Sequence, residues 1–286
     1  MKITKFHTGV ALTTSLLLAA LTGCGAANTA SSSGSASSST SVSASSNSAK
    51  KHTSFFVKDN GDGTKVIKDI DGKEVTVPTN PERIADLWHA NNQVVLLLGG
   101  AEKLVSTTTN VKSLAWFKQV YPGIQKVDAP VKGTDVNMEQ LLADKPEVLL
   151  ASSKEQIAKA AEAGIPAVHV EFQNFADLKR TVELTAEVIG TDEAIERAEK
   201  YLAYLKKNEN LIKERLQGVT ESPKVLHIAG GSDLTKVDGS NSLIGEWMKL
   251  SGAKNSLDGV ENLKNISLEQ IIASQPEYII IGGADA

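Results

Sequence analysis

Apolar positions along this chain follow two alternating periods. Short runs rich in Val, Ile and Leu predict strands at 84–87, 103–107, 148–151, 167–170, 224–229 and 278–281. Between them apolar residues recur every three or four positions. That spacing predicts helices at 92–98, 138–143, 154–163, 177–189 and 243–250, several closed by Gly or Gly-x-Pro. Residues 54–78 read as β-hairpins around Asp59-Asn-Gly-Asp-Gly63 and Asp71-Gly72. Strands separated by helices argue an α/β fold of parallel-type sheets with flanking helices. The longest helical stretch, 191–217, opens on Thr191 with Asp192 and Glu193 in its first turn. Its apolar residues Ile195, Ala198, Leu202, Leu205, Ile212 and Leu216 hold helical spacing, and Gly218 stops it. At 1.5 Å per residue it spans about 40 Å, and it reads as a rigid brace.

Two segments on either side of that brace repeat one another. Asn137-Met-Glu-Gln-Leu-Leu-Ala-Asp-Lys-Pro-Glu-Val-Leu-Leu150 is echoed by Ser267-Leu-Glu-Gln-Ile-Ile-Ala-Ser-Gln-Pro-Glu-Tyr-Ile-Ile280. Such an echo predicts two similarly built lobes, 53–190 and 219–286, joined by the helix at 191–218, with a ligand cleft between them. After the first copy the chain continues through helix, strand and helix. After the second it has only a few residues, so lobe two is expected to be C-terminally incomplete.

The N-terminus changes the picture of where the protein works. Lys2 and Lys5 precede an apolar run, 10–21, that is shorter than the ~20 residues of a membrane span. It fits a signal peptide, 1–23. The run ends in Leu21-Thr22-Gly23-Cys24, which resembles the lipobox of bacterial lipoproteins and makes Cys24 the expected lipidation site. Cys24 is the single cysteine, which leaves no disulfide framework, Cys-based metal site or catalytic thiol. Residues 24–52 are mostly Ser, Ala, Gly, Thr and Asn. They are expected to form a disordered tether that holds the folded part off a membrane. The net charge of −4 comes without a basic cluster, so nucleic acid is not an expected partner.

Candidate chemistry sits at the predicted strand ends, where doubly wound sheets bind ligands. In lobe one these ends carry Trp88 and His89, Thr108 with Trp116 nearby, Ser152 and Phe172. In lobe two they carry Gly231 and Ser232. An imidazole beside an indole can ligate a metal, stack on a ring or donate to an anion, and His89 is the candidate contact to a chelated metal. His169 and His227 lie within strands and read as structural. No nucleophile elbow, HExxH or phosphate loop is present in the sequence, so no enzyme and no cofactor are expected. Glu139 and Glu269 occupy matched first-turn positions in the echo. The helix dipole explains an acid at either position alone, but not the pairing across lobes.

Lipobox, Ser-rich tether, Val75-Thr-Val-Pro-x-x-Pro-x-Arg-Ile84, Asn137-x-Glu139…Lys145-Pro-Glu, long helix, and Ser267-x-Glu269…Pro-Glu occur here in a specific order. The chain from residue 67 onward resembles the substrate-binding lipoproteins of ATP-binding-cassette importers for iron-siderophore, haem and cobalamin. The resemblance implies two α/β lobes on a rigid helix, a monomer, and partners in a permease with its ATPase. It also implies that Glu139 and Glu269 dock on arginines of the permease. Trp88, His89 and Trp116 suit a flat or metal-centred ligand, which makes a metal chelate the expected substrate. The alternatives are a receptor for bare zinc, manganese or nickel, and, in a different class, a surface adhesin or extracellular enzyme.

Overall fold

A computed structural model describes residues 50–133, 135–230 and 233–282. The expected signal peptide, Cys24 and nearly all of the tether lie outside the described residues, as do Gly231 and Ser232.

The described chain opens with the predicted hairpins. β1 (Phe56–Asp59), β2 (Thr64–Lys68) and β3 (Glu74–Pro78) form an antiparallel meander. It is fastened to lobe one through a buried ion pair, Lys65 Nζ to Glu187 Oε1 at 3.0 Å. His52 Nδ1 lies 3.0 Å from the same oxygen, and the Thr53 N–H donates to the other at 2.8 Å. Two buried charges are tolerable only when paired and hydrogen-bonded in this way.

Lobe one is a six-stranded sheet built from β4 (Ile84–Asp86), β5 (Leu104–Thr108), β6 (Asp128–Lys132), β7 (Asp135–Val136), β8 (Val148–Ala151) and β9 (Ala167–His169). Their spatial order is β7-β6-β5-β4-β8-β9, parallel except for the edge strand β7. Alternation along the strands divides the core. Ile84, Leu150 and Val168 face α1 (His89–Leu97) and α6 (Phe175–Ile189), while Ala85, Leu149 and Ala167 face α4 (Met138–Ala143) and α5 (Lys154–Glu162). Two short helices, α2 (Thr109–Ser113) and α3 (Ala115–Val120), follow β5. α6 ends at Gly190, φ 77°, which lies so close to the Thr79 carbonyl that no side chain fits there.

α7 (Asp192–Arg215) is the predicted long helix, about 36 Å at 1.5 Å per residue. The Thr191 hydroxyl caps it by accepting from the Ala194 N–H at 3.1 Å. Ala194, Ile195 and Ala198 enter the lobe-one core, and Lys179 on α6 pairs with Glu209 further along. At the far end Leu216 abuts Gly252 of lobe two, where a Cβ would stand 3.2 Å away. The helix therefore touches both lobes.

Lobe two holds β10 (Lys224–Ile228), β11 (Lys236–Asp238), α8 (Leu243–Leu250), β12 (Lys254–Asn255), β13 (Lys264–Asn265), α9 (Leu268–Ala273) and β14 (Tyr278–Ile281). β10 is central. It pairs in parallel with β12 and β14 and antiparallel with β11, and β11 pairs antiparallel with β13. The sheet is thus mixed rather than parallel throughout. Its core is small, centred on Leu226, Ile228, Val237 and Leu257.

The sequence echo is also a structural one. Asn137 and Ser267 each cap their helix, accepting from the Gln140 and Gln270 N–H at 3.1 and 3.2 Å. Lys145 and Gln275, each just before the proline, are both left-handed, with φ 48° and 47°. The two following glutamates grip the first strand of their lobe. Glu147 accepts from the Glu82 N–H at 2.6 Å and Glu277 from the Lys224 N–H at 3.0 Å.

Candidate ligand site

The carboxyl end of β4 is organised by a buried acidic side chain. Asp86 closes β4 and is fully buried. Its side chain accepts from the Trp88 N–H at 3.1 Å and from Asn91 Nδ2 at 2.9 Å. Asn91 Oδ1 in turn accepts from Thr185 Oγ1 of α6 at 3.0 Å. Next to it, Asn92 Nδ2 donates to the Asp86 and Trp88 carbonyls, both at 2.9 Å, and Asn92 Oδ1 accepts from Thr107 Oγ1 at 2.7 Å. Of these bonds, the one from the Trp88 N–H takes up a donor of the helix start, and the others tie the first turn to β4, β5 and α6. They also explain why α1 begins at His89, three residues before the start predicted from apolar spacing.

His89 is therefore the first residue of α1, exposed, with no hydrogen-bond partner for its ring among the described residues. Surrounding protein lowers its pKa, which favours the neutral imidazole that a metal centre can use. Trp88 is half-buried, with its ring 4.8 Å from that of Phe172 at 54°. Phe172 and Trp116 line one cavity of about 660 Å³, together with Gln93 and Leu97 of α1, Tyr201 of α7 and Leu243 of α8. Trp116 lies stacked on Phe117 at 3.7 Å with its outer face open. A second cavity, of about 500 Å³, lies between the lobes and is lined by Gln173, Asn241, Glu261 and Asn262. The adjacent residues Phe172 and Gln173 thus face different cavities.

The remaining candidates are dispersed. The Thr108 hydroxyl caps α2 by accepting from the Val111 N–H at 3.2 Å. Ser152 is half-buried after β8 and lines neither cavity. His169 is buried with Nδ1 3.0 Å from Asp71, and His227 lies 2.8 Å from Asp238, as expected of structural histidines. Gln93, Leu97, Tyr201 and Leu243 were missed in the sequence. The His89, Gln93, Leu97 spacing, one face of a helix, could have pointed to the first two, while Tyr201 and Leu243 come from helices distant in sequence. Among the described residues no three His, Cys, Asp or Glu side chains stand together as a metal cage. Glu139 and Glu269 are exposed in the first turns of α4 and α9. Glu269's own N–H and the Ser267 hydroxyl hold its carboxyl below the ordinary value.

The periplasmic binding protein family model matches residues 84–285, from β4 onward. This chain belongs to the periplasmic binding protein family. It is 24% identical over 224 residues to the uncharacterized ABC transporter substrate-binding lipoprotein YvrC of Bacillus subtilis, covering 75% of this chain and 68% of that protein. It is 23% identical over 209 residues to the vitamin B12-binding protein of Pectobacterium atrosepticum, covering 71% and 72%. The molybdate-bound MolA structure from Haemophilus influenzae shares the fold, with TM-score 0.67 at 23% identity, covering 76% of this chain and 73% of that one.

This periplasmic binding protein is an extracytoplasmic substrate-binding component of an ATP-binding-cassette importer, with a permease and a small molecule as partners. Proteins of this kind are transport components, not enzymes. No helix among the described residues is long and apolar enough to cross a membrane.

Proposed function

We propose that this binding protein captures a metal chelate of the iron-siderophore, haem or cobalamin type and presents it to its permease through Glu139 and Glu269. The observation that carries this reading is the aromatic, apolar cavity bearing Trp116 and Phe172, with Phe172 in ring contact with Trp88, the chain neighbour of the unpartnered His89. Such a wall suits a flat or ring-shaped ligand better than a bare ion. The relatives' substrates include vitamin B12 and molybdate, so the class rests on the lining rather than on likeness. Thr108, Ser152, Gly231 and Ser232 complete the proposed ligand contacts. The protein has a signal peptide at 1–23, a lipidated Cys24 and a tether to residue 52. Lobes at 53–190 and 219–286 flank the 191–218 helix, and the lipid holds them at the outer face of the cytoplasmic membrane.

Native purification followed by absorbance and mass spectrometry tests the reading. A co-purifying chelate is the expected result. Molybdate, zinc, manganese or nickel binding without a chelator would overturn it. With the chelate in hand, His89→Ala should weaken binding by about tenfold and shift its visible spectrum.

A further inference from the structure

The two cavities differ in a way that narrows the ligand further, given that the protein binds a chelate. The apolar cavity is a groove that begins beside Phe172 at the carboxyl end of the sheet. It runs along α1 past Gln93 to Leu97, because residues four apart share one helix face. Trp116 and the exposed Val120 of α3 form one wall, and Tyr201 of α7 contributes another. Its single charged lining residue, Arg197, is committed elsewhere. Its guanidinium lies 2.8 Å from Glu193 and donates to the Leu97 carbonyl. The groove therefore offers apolar contact and no free charge.

The inter-lobe cavity has the opposite character. Gln173, Asn241 and Asn262 present amides, and Glu261 a carboxylate. Gln173 Nε2 donates to Glu171 at 3.2 Å, which brings a second carboxylate close by. The nearby cation, Lys264, already pairs with Glu261 at 2.7 Å. No unpaired cation lines either cavity among the described residues.

We infer that the ligand is an amphipathic chelate. Its neutral or cationic, hydrogen-bonding head lies between the lobes beside Gln173, Asn241 and Asn262, and its acyl or aromatic arm lies in the groove along α1. Each methylene removed from water in such a groove tightens binding several-fold. A polyanionic head would meet carboxylates and amides with no cation to offset its lost hydration.

The test titrates the purified protein, followed by tryptophan fluorescence, with ferric chelates that differ in one feature at a time. The probes are a neutral trihydroxamate, the same trihydroxamate carrying an acyl chain, and a trianionic tris-catecholate. The acylated form should bind at least about tenfold tighter than its parent, and the tris-catecholate at least about tenfold weaker. Val120→Lys places a charge in the groove wall at an exposed position, so folding is undisturbed. It should cut the acyl advantage to about threefold or less. Equal affinity for the two trihydroxamates would overturn the groove assignment and leave the chelate reading standing. Tightest binding of the tris-catecholate would overturn the assigned head charge. If no chelate binds, both the inference and the reading beneath it fall, and molybdate or nickel titrated alone then identifies the replacement.

Discussion

β8 and β14 are reached by the same devices, a capped short helix, a left-handed residue before proline, and a glutamate clamped on the neighbouring strand. Each then pairs in parallel with the first strand of its lobe, with Leu149 opposite Ala85 and Ile279 opposite Leu226. Their surroundings differ completely. Val148, Leu149, Leu150 and Ala151 are each 0% exposed, whereas Tyr278, Ile279, Ile280 and Ile281 are 62%, 53%, 38% and 44% exposed. β9 covers the outer edge of β8, with α5 packed on the face. Among the described residues nothing pairs with the outer edge of β14. Local sequence thus sets the path of a strand, and its neighbours set what the strand contributes to stability.

The contrast extends to titratable groups. Asp86 and His227 occupy the same register, opposite Leu150 and Ile280. Asp86 is fully buried at the carboxyl end of β4 and bonded to Trp88 and Asn91, while His227 pairs with Asp238 in a lobe with a smaller core.

The sharpest way to break the comparison is a matched pair of truncations. Leu149→Ala empties a filled core site and should cost about 2–5 kcal/mol, whereas Ile279→Ala should cost under about 1 kcal/mol. Denaturant unfolding of both variants measures the gap, and equal losses would mean that β14 is buried in solution.

Next in size is the pH dependence carried by Asp86. Burial pushes its carboxyl well above the ordinary 3.8, against the opposing Trp88 and Asn91 donors. A raised folded value means that folding takes up a proton. The stability from this group is complete below the unfolded value and lost as pH rises through the folded one. Asp86→Asn should remove that fall, at most about 1.4 kcal/mol per pH unit. An unchanged slope across the acid-to-neutral range would assign the dependence to other groups.

Docking tests the functional side of the symmetry. Glu139→Arg and Glu269→Arg should each weaken association with the permease by about tenfold, most at low salt, with chelate binding retained. Loss of chelate affinity with normal docking would place the glutamates in the cleft.

The smallest expected difference lies at the caps. Ser267 forms a full capping box, since the Ser267 N–H also donates to Gln270 Oε1 at 2.9 Å, whereas Asn137 caps by its side chain alone. Ser267→Ala should cost about 1 kcal/mol and Asn137→Ala somewhat less. Thermal unfolding of the pair checks the order.

Much of this architecture was legible. The strands at 148–151 and 278–281, the helices at 138–143 and 243–250, and the long helix opening on Thr191 stand where periodicity and caps put them. β7, β11, β12 and β13 were not anticipated, because strands of two or three residues are defined by their partners rather than by their own pattern, and β6 was missed because Asp128 and Pro130 interrupt its apolar run. The start of α1 was misplaced because a buried aspartate two residues upstream of Trp88 anchors the Trp88 N–H and the Asn91 side chain in the first turn. Of the candidate ligand residues, Phe172 and Trp116 line one cavity and Trp88 touches Phe172, while the Thr108 hydroxyl is occupied as a cap.

By itself the sequence determined the two-lobe repeat, the helix between the lobes, the matched glutamates and the membership of a binding-protein class. The repeat, the helix and the glutamate positions are written in local spacing, caps and turns, which act over a few residues, while the class was legible as a resemblance carried by the order of motifs. Only the tertiary structure decided which of two like strands is buried and where α1 begins. It also decided that helices distant in sequence close an apolar groove beside Phe172. Those outcomes depend on packing between segments far apart in the chain, where burial and the satisfaction of polar groups are settled jointly.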